Sequence, residues 1–151
     1  MWSTGVSFID INNDGWLDLY VCGFDCPNKL YINDKGTFIE SAKEYGLDYK
    51  GASVSMSFSD FDRDGDVDFV ITHWTEDFAS VFLNRGDGTF APRQDHPTGL
   101  GNYGVDVADL DRDGNLDIVT ANYREKSFSI LFGKGQGAFK PAITKLSLIH
   151  I

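Results

Sequence analysis

Three nine-residue segments of this chain share one spacing of oxygen-bearing side chains. Such side chains stand at positions 1, 3, 5 and 9 of each segment, and glycine stands at position 6. The residues at positions 1, 3, 5 and 9 are Asp10, Asn12, Asp14 and Asp18, then Asp60, Asp62, Asp64 and Asp68, then Asp109, Asp111, Asp113 and Asp117. Alternate side chains of so short a loop can point inward to one cation, and glycine adopts the backbone conformation that other residues resist. The carbonyl of position 7 can add a further oxygen.

The chemistry of these side chains favours calcium over other ions. Several carboxylates in a flexible loop suit Ca²⁺ better than Mg²⁺, and transition metals prefer His or Cys, which the segments lack. The EF-hand shares the opening of the motif, but it needs a glutamate at position 12, where this chain has Val21, Ile71 and Thr120. An acidic turn without metal is disfavoured, because up to four carboxylates in nine residues repel one another. The sequence therefore predicts up to three Ca²⁺ sites, of which the first, with three carboxylates, is the weakest.

The three segments belong to a longer repeat. They start 50 and 49 residues apart, and residues 30–33, 81–84 and 130–133 occupy matching places, as do residues 36–38, 88–90 and 137–139. An alternating segment precedes each acidic loop and a continuous apolar run follows it, which predicts two strands. A third strand and a glycine turn come next, and a fourth strand is expected to open at Phe38, Phe90 or Phe139. Residues 40–46 are expected to form one helical turn at most.

Four strands in about 50 residues is typical of one blade of a β-propeller. We expect repeats at residues 1–50, 51–100 and 101–143. Residues 144–151 match no repeat, and we interpret them as a tail that arises from an incomplete reading frame. A propeller needs at least four blades to close, so the prediction is an all-β fold in which three blades of four antiparallel strands pack against the remaining blades of a larger parent chain.

At this level of detail the chain resembles a known family. The acidic motif between strands, followed by a hairpin such as residues 81–90, is similar to the FG-GAP/VCBS repeat, and the resemblance covers residues 5–142. Residues 28–33 and 38–47 also resemble the ASPIC/UnbV-associated type. The family implies blades of a seven-bladed propeller, as in the head of integrin α chains and in many secreted bacterial proteins. It also implies that the side chains at positions 1, 3, 5 and 9 bind Ca²⁺ together with the carbonyls of Trp16, Asp66 and Asn115.

Charge and composition narrow the function. The 151 residues include 19 Asp and 4 Glu against 13 Lys+Arg, a net charge of −10. This balance disfavours nucleic acids and anionic membranes as partners, and no apolar run approaches the roughly 18 residues of a membrane span. His73, His96 and His150 stand apart, and no nucleophile–base pair is recognisable. The sequence therefore predicts a non-catalytic calcium-binding module for a protein or glycan ligand, as in adhesion. The alternative is a fragment of a secreted propeller enzyme, a polysaccharide lyase or glycoside hydrolase, whose active site lies outside this chain.

Two further expectations concern the cellular environment. Weak calcium sites fill at the millimolar Ca²⁺ found outside cells, so we expect an extracellular, cell-surface or periplasmic parent protein. Cys22 and Cys26 stand four residues apart, and either a local disulfide or two thiols is compatible with the sequence.

Overall fold

The computed structural model describes residues 2–147, and it consists of β-strands and connecting loops. The strands, numbered in chain order, are β1 (Trp2–Ile9), β2 (Asp18–Pro27), β3 (Lys29–Asp34), β4 (Thr37–Glu40), β5 (Lys50–Ser59), β6 (Asp68–His73), β7 (Phe78–Phe82), β8 (Gln94–Pro97), β9 (Asn102–Ala108), β10 (Asp117–Asn122), β11 (Ser127–Leu131), β12 (Gly133–Gly135), β13 (Ala138–Phe139) and β14 (Ile143–Leu146). Within the described residues there is no helix long and apolar enough to cross a membrane.

The strands form three four-stranded units in which every pairing is antiparallel. The first unit is β1-β2-β3-β4, the second is β5-β6-β7-β8 and the third is β9-β10-β11-β14, with β12 and β13 as a separate short hairpin. The end of β2 also pairs with the start of β5, which joins the first two units into one sheet. Each acidic segment connects the first strand of a unit to its second strand. The second strand of the middle unit, β6, is buried along its whole length, as its continuous apolar run predicts.

The hydrophobic core lies between neighbouring units rather than within one unit. Residues of β2 and β3 pack against β5, β6 and Phe82 at the first seam, and residues of β6 and β7 pack against β9, β10 and Leu131 at the second. Each unit therefore has a leading face that covers the next unit and a trailing face that covers the preceding one.

The position-2 residue of each acidic loop reports on this packing. Ile11 and Phe61 lie under the following unit and are 1% and 4% exposed, whereas Leu110, on the leading face of the third unit, is 48% exposed. On the trailing face of the first unit, Val6 and Phe8 are 64% and 61% exposed. The two outer faces thus carry the same kinds of residue that the two seams bury.

The outer strands of the second and third units begin later in the chain than the sequence predicts. The fourth strand of the first unit does contain Phe38, but Phe90 makes only an isolated bridge to Asn84, and Phe139 lies in β13. Both rings turn inward instead, with Phe90 5.5 Å from the Phe69 ring centroid and Phe139 5.6 Å from that of Phe61. The chain therefore resumes the outer strand later, as β8 and β14.

The outer strand of the third unit, β14, extends past the predicted end of the third repeat. The boundary predicted after residue 143 falls inside β14, which pairs with β11. Residues 144–146 of the expected tail thus belong to the sheet of the third unit, and residues 148–151 lie outside the described part of the chain. Residues 42–46 form a single turn, in which the Tyr45 N–H donates to the Ser41 carbonyl at 3.1 Å.

Candidate calcium centres

Two left-handed residues shape each acidic loop. The glycine at position 6 has a φ of 85° at Gly15, 96° at Gly65 and 86° at Gly114, as the motif predicts. Position 4 is also left-handed, which the sequence does not indicate where the residue is arginine. The residues there are Asn13, Arg63 and Arg112, with φ of 57°, 67° and 62°. These two turns coil the loop around its own carboxylates.

The position-1 carboxylate closes the coil. Asp10, Asp60 and Asp109 each accept the backbone N–H of the position-6 glycine, at 2.9, 3.1 and 3.0 Å. At position 3, one oxygen accepts the backbone N–H of position 5 at 3.2 Å in every loop, whether the residue is an aspartate or, as in the first loop, Asn12. The amide and the carboxylate therefore support the same loop conformation.

The position-9 carboxylate fastens the loop to the rest of its unit. Asp18, Asp68 and Asp117 are fully buried. One oxygen of each accepts the position-2 N–H, at 3.1, 2.7 and 2.8 Å. The other accepts a backbone N–H at or just after the third strand, from Asn33, Asn84 or Gly133, at 2.8 Å in each case.

Burial also changes the acidity of this position. It raises the pKa of Asp68 to about 7 and raises the pKa of Asp18, while the two backbone N–H bonds to each carboxylate act in the opposite direction. The ionised form of Asp68 is therefore costly in the folded chain without a nearby cation, so a bound cation would relieve the cost.

The carboxylates at positions 1, 3 and 9 converge in two loops. Oxygens of Asp60, Asp62 and Asp68 lie within 4.8 Å of one another, and so do oxygens of the equivalent residues, Asp109, Asp111 and Asp117. Oxygens that each lie 2.3–2.6 Å from one Ca²⁺ are at most about 5 Å apart, so this spacing suits a shared calcium ion. Within residues 2–147 the first loop forms no such acidic trio, because Asn12 supplies an amide at position 3.

Position 5 stands apart from this convergence. One oxygen of Asp14, Asp64 or Asp113 accepts the N–H of position 7, at 2.8, 2.9 and 2.8 Å. In the third loop this bond lowers the pKa of Asp113. Neither Asp64 nor Asp113 belongs to the converging trio of its loop. The geometry thus gathers positions 1, 3 and 9 in the second and third loops, and the role of every one of these residues as a calcium ligand, including position 5 and the carbonyls of Trp16, Asp66 and Asn115, stays a prediction.

Side-chain hydrogen bonds connect neighbouring loops. The Asn13 amide donates to Asp66 Oδ1 at 2.5 Å, and the Arg63 guanidinium donates to Asn115 Oδ1 at 3.2 Å. In both cases position 4 of one loop reaches position 7 of the next. These contacts are not predicted from the sequence, although position 4 carries a side chain with N–H donors in all three repeats.

A buried polar chain around His73 was also missed. His73 Nε2 lies 2.9 Å from Ser80 Oγ, which donates to Asp95 Oδ1 at 2.7 Å. Because the Ser80 proton is directed to Asp95, His73 Nε2 carries the proton between His73 and Ser80. The histidine therefore does not activate the serine, and the arrangement is a structural network that strand pairing assembles. Burial, followed by the charge of Arg93, lowers the pKa of His73 to about 4.

The two cysteines, Cys22 and Cys26, lie in β2 of the first unit. Cys22 is a buried thiol whose pKa burial raises to about 12, and Cys26 is partly buried.

Comparison with known proteins agrees with the architecture. The fold is similar to that of an Agrocybe aegerita lectin whose structure was described as the basis of specific recognition of non-reducing terminal N-acetylglucosamine. The TM-score is 0.56 at 24% identity, and the alignment covers 93% of this chain but only 37% of the lectin chain. No curated protein matches the chain by sequence. The predicted fold class, an all-β chain with blades of four antiparallel strands, is confirmed, and the number of blades in the complete ring stays a prediction.

The family assignment follows from the repeats. The sequence profile described as the FG-GAP-like repeat matches residues 10–71 and 60–120. Each match runs from one acidic loop through the next, and together the matches cover more than half of the chain. The chain therefore belongs to the FG-GAP-like repeat family.

Proposed function

We propose that this chain is a non-catalytic, calcium-stabilised β-propeller module of an extracellular, cell-surface or periplasmic protein that binds a protein or a glycan. The observation that carries the proposal is the convergence of three carboxylates in the second and third loops, one of which is buried. Three like charges within 4.8 Å repel one another strongly unless a cation lies between them. Hard oxygen donors in this number suit Ca²⁺.

Each loop would hold its ion with side-chain oxygens of positions 1, 3, 5 and 9 and the carbonyl of position 7. The bound ion supplies positive charge that neutralises the carboxylates, and it pins the turn between the first and second strands. Because position 9 is also hydrogen-bonded at or just beyond the third strand, an ion in the loop would stabilise the unit beyond its two inner strands. Metal binding of this kind contributes directly to folding free energy.

One observation supports a binding role for the module. The fold resembles that of a lectin, which favours a glycan among the possible ligands. Three Ca²⁺ would also change the net charge from −10 to −4, since each contributes +2. Most of the negative charge of the chain then belongs to the calcium loops, so it does not indicate a basic partner.

Removal of calcium tests the proposal. The chain is melted in EDTA, in 5 mM Ca²⁺ and in 5 mM Mg²⁺ and followed by circular dichroism. We expect Ca²⁺ to raise the melting temperature clearly and reversibly, and Mg²⁺ to have a smaller effect. Melting curves that coincide with and without Ca²⁺ would refute the calcium role.

A further inference from the structure

The ends of the units opposite the calcium loops form a second surface with a repeated design. Each calcium loop joins the first and second strands of a unit at one end. Because these strands are antiparallel, the beginning of the first strand and the end of the second strand lie together at the other end. We call this opposite surface the aromatic face, for the side chains described next.

A β-bulge occurs at the same place in the first strand of every unit. The pairing skips one residue between Ser3 and Gly5, one between Ser53 and Ser55, and one between Asn102 and Gly104. The skipped residues are Thr4, Val54 and Tyr103, each six residues before the first aspartate of its loop. Bulges often occur next to functional sites, where the extra residue redirects a side chain.

An aromatic side chain follows at a second repeated place. Phe24, Trp74 and Tyr123 each stand 14 residues after the first aspartate of the loop. Phe24 lies within β2, and Trp74 and Tyr123 directly follow β6 and β10. The Trp74 N–H donates to the Ala52 carbonyl at 2.8 Å, and the Tyr123 N–H donates to the Gly101 carbonyl at 2.9 Å, which anchors both at equivalent places.

The aromatic rings of the second and third units form an exposed cluster. The Trp74 ring lies 6.0 Å from Tyr103 and 5.5 Å from Tyr123 between centroids. The two tyrosines are 61% and 69% exposed, although each carries a large apolar ring. The seam cores do not include these three rings.

The bulged residues and the aromatic residues together line one concave space. A cavity of about 240 Å³ is bounded by Thr4, Phe24, Val54, Trp74 and Tyr103, which are all repeated positions described above. An adjoining space of about 330 Å³ shares Thr4 and Phe24 and adds Ser3 and Asp25. The cleft thus crosses the seam between the first two units and ends at the aromatic cluster of the next seam.

We propose that this cleft on the aromatic face binds a glycan, with the apolar face of a pyranose ring stacked on Trp74 and its aromatic neighbours. The C–H groups on one face of a pyranose match the electron-rich face of an aromatic ring, and the sugar hydroxyls need polar partners at its edge. Such partners are present in the lining as the hydroxyls of Thr4 and Tyr103 and the carboxylate of Asp25.

The size of the cleft favours a sugar over a protein partner. Small-ligand pockets occupy about 300–1,000 Å³, whereas a stable protein interface buries about 800 Å² on each partner. Two adjoining cavities of about 240 and 330 Å³ suit one or two sugar rings. The inference deepens the proposed binding role and rests on it, but it does not depend on calcium in the loops at the opposite end.

Saturation-transfer-difference NMR on the full chain tests the inference, because this method detects millimolar affinities. The probes are cellobiose, lactose, mannobiose and N,N′-diacetylchitobiose. We expect saturation transfer to at least one disaccharide, and we expect Trp74→Ala to weaken that binding roughly tenfold or more through loss of the stacking surface. The matched control is Phe38→Ala, which removes an exposed aromatic ring from the outer strand β4, outside both the cleft and the calcium loops, and should leave sugar binding unchanged.

The outcomes separate this inference from the proposed calcium role. Melting in EDTA and in Ca²⁺ is repeated on Trp74→Ala, which should keep the response of the unaltered chain and so report an intact fold. Sugar binding that persists in Trp74→Ala, or that is lost equally in Phe38→Ala, overturns the inference. Absence of transfer to all four disaccharides also overturns it, and would leave a protein as the ligand of this face. A chain that binds sugar but does not respond to calcium would keep the inference and remove the calcium role.

Discussion

Replacement of Asp62 by asparagine isolates the contribution of charge to calcium binding. Asp62 Oδ1 accepts the Asp64 N–H at 3.2 Å, and Asn12 Oδ1 accepts the Asp14 N–H at the same 3.2 Å in the first loop. Asp62→Asn therefore keeps the hydrogen bond that shapes the loop while it removes the negative charge, and the new amide can donate to position 5 as Asn12 does to Asp14. The first loop already has asparagine, Asn12, at the equivalent position, so the chain itself contains a loop of the altered kind.

The expected effect follows from Coulomb's law. A divalent ion and one carboxylate about 4 Å apart attract each other by about 2 kcal/mol at the dielectric constant of water, which is appropriate for a loop at the surface. Loss of that attraction weakens calcium binding of the second loop by about 30-fold. At Ca²⁺ concentrations that saturate both proteins, the calcium-dependent stabilisation falls by the same 2 kcal/mol, which corresponds to a decrease of about 4–8 °C in melting temperature.

The calcium-free state should respond in the opposite direction. Burial and then the neighbouring carboxylates raise the pKa of Asp62, so its charge is unfavourable when no cation is bound. Asp62→Asn should therefore melt no lower than the unaltered chain in EDTA. Melting in EDTA and in 10 mM Ca²⁺, together with calorimetric calcium titration, measures both effects.

Two further variants control for position and charge. Asn12→Asp should raise the calcium affinity of the first loop by a comparable factor. Asp34→Asn removes an exposed carboxylate outside the loops and should change neither the melting temperatures nor the calcium affinity. The reasoning fails if Asp62→Asn retains the calcium response of the unaltered chain, or if it unfolds in EDTA where the unaltered chain stays folded.

Two predictions concern groups outside the ligand set. Burial lowers the pKa of His73 to about 4 from 6.5, so the unfolded chain binds the proton more tightly and stability should fall by up to about 3 kcal/mol as pH decreases from 6.5 to 4. Urea unfolding across this range in saturating Ca²⁺ should show a shallower pH dependence for His73→Gln, and equal slopes would contradict the assignment. The Arg63 guanidinium lies beside the third loop, so Arg63→Met should raise calcium affinity there roughly two- to threefold by removing a positive charge, whereas Arg63→Lys should not. Calorimetry distinguishes the two variants, and equal affinities would assign the contact no electrostatic role.

Local spacing made much of the architecture predictable. Asp60, Gly65 and Asp68 repeat in the other two units at fixed intervals, and the strands on either side have simple apolar patterns. The left-handed glycine and the loop between the first two strands follow from nine residues alone. The position-9 aspartate was identified as a candidate ligand for the same reason.

Features that depend on contacts between distant segments were not predictable. The second hydrogen bond of Asp68 comes from the N–H of Asn84, 16 residues away, and the link from Arg63 to Asn115 spans 52 residues. Phe90 and Phe139 were expected to open strands, but packing against the seam cores decided their conformation instead. The bulges at Thr4, Val54 and Tyr103 also leave no local signature, because these three side chains differ in type and only the strand register reveals their equivalence.

The seams between units have a consequence for how such a protein can change in length. The interface that buries Ile11 beneath the second unit recurs where Phe61 lies beneath the third. Each unit therefore presents the same leading face and the same trailing face. Duplication of a whole unit therefore creates no new type of interface, and an added copy meets surfaces that already fit it. Growth by gene duplication, or engineered insertion of a unit, requires only that the inserted segment begin and end at equivalent positions relative to the acidic loops.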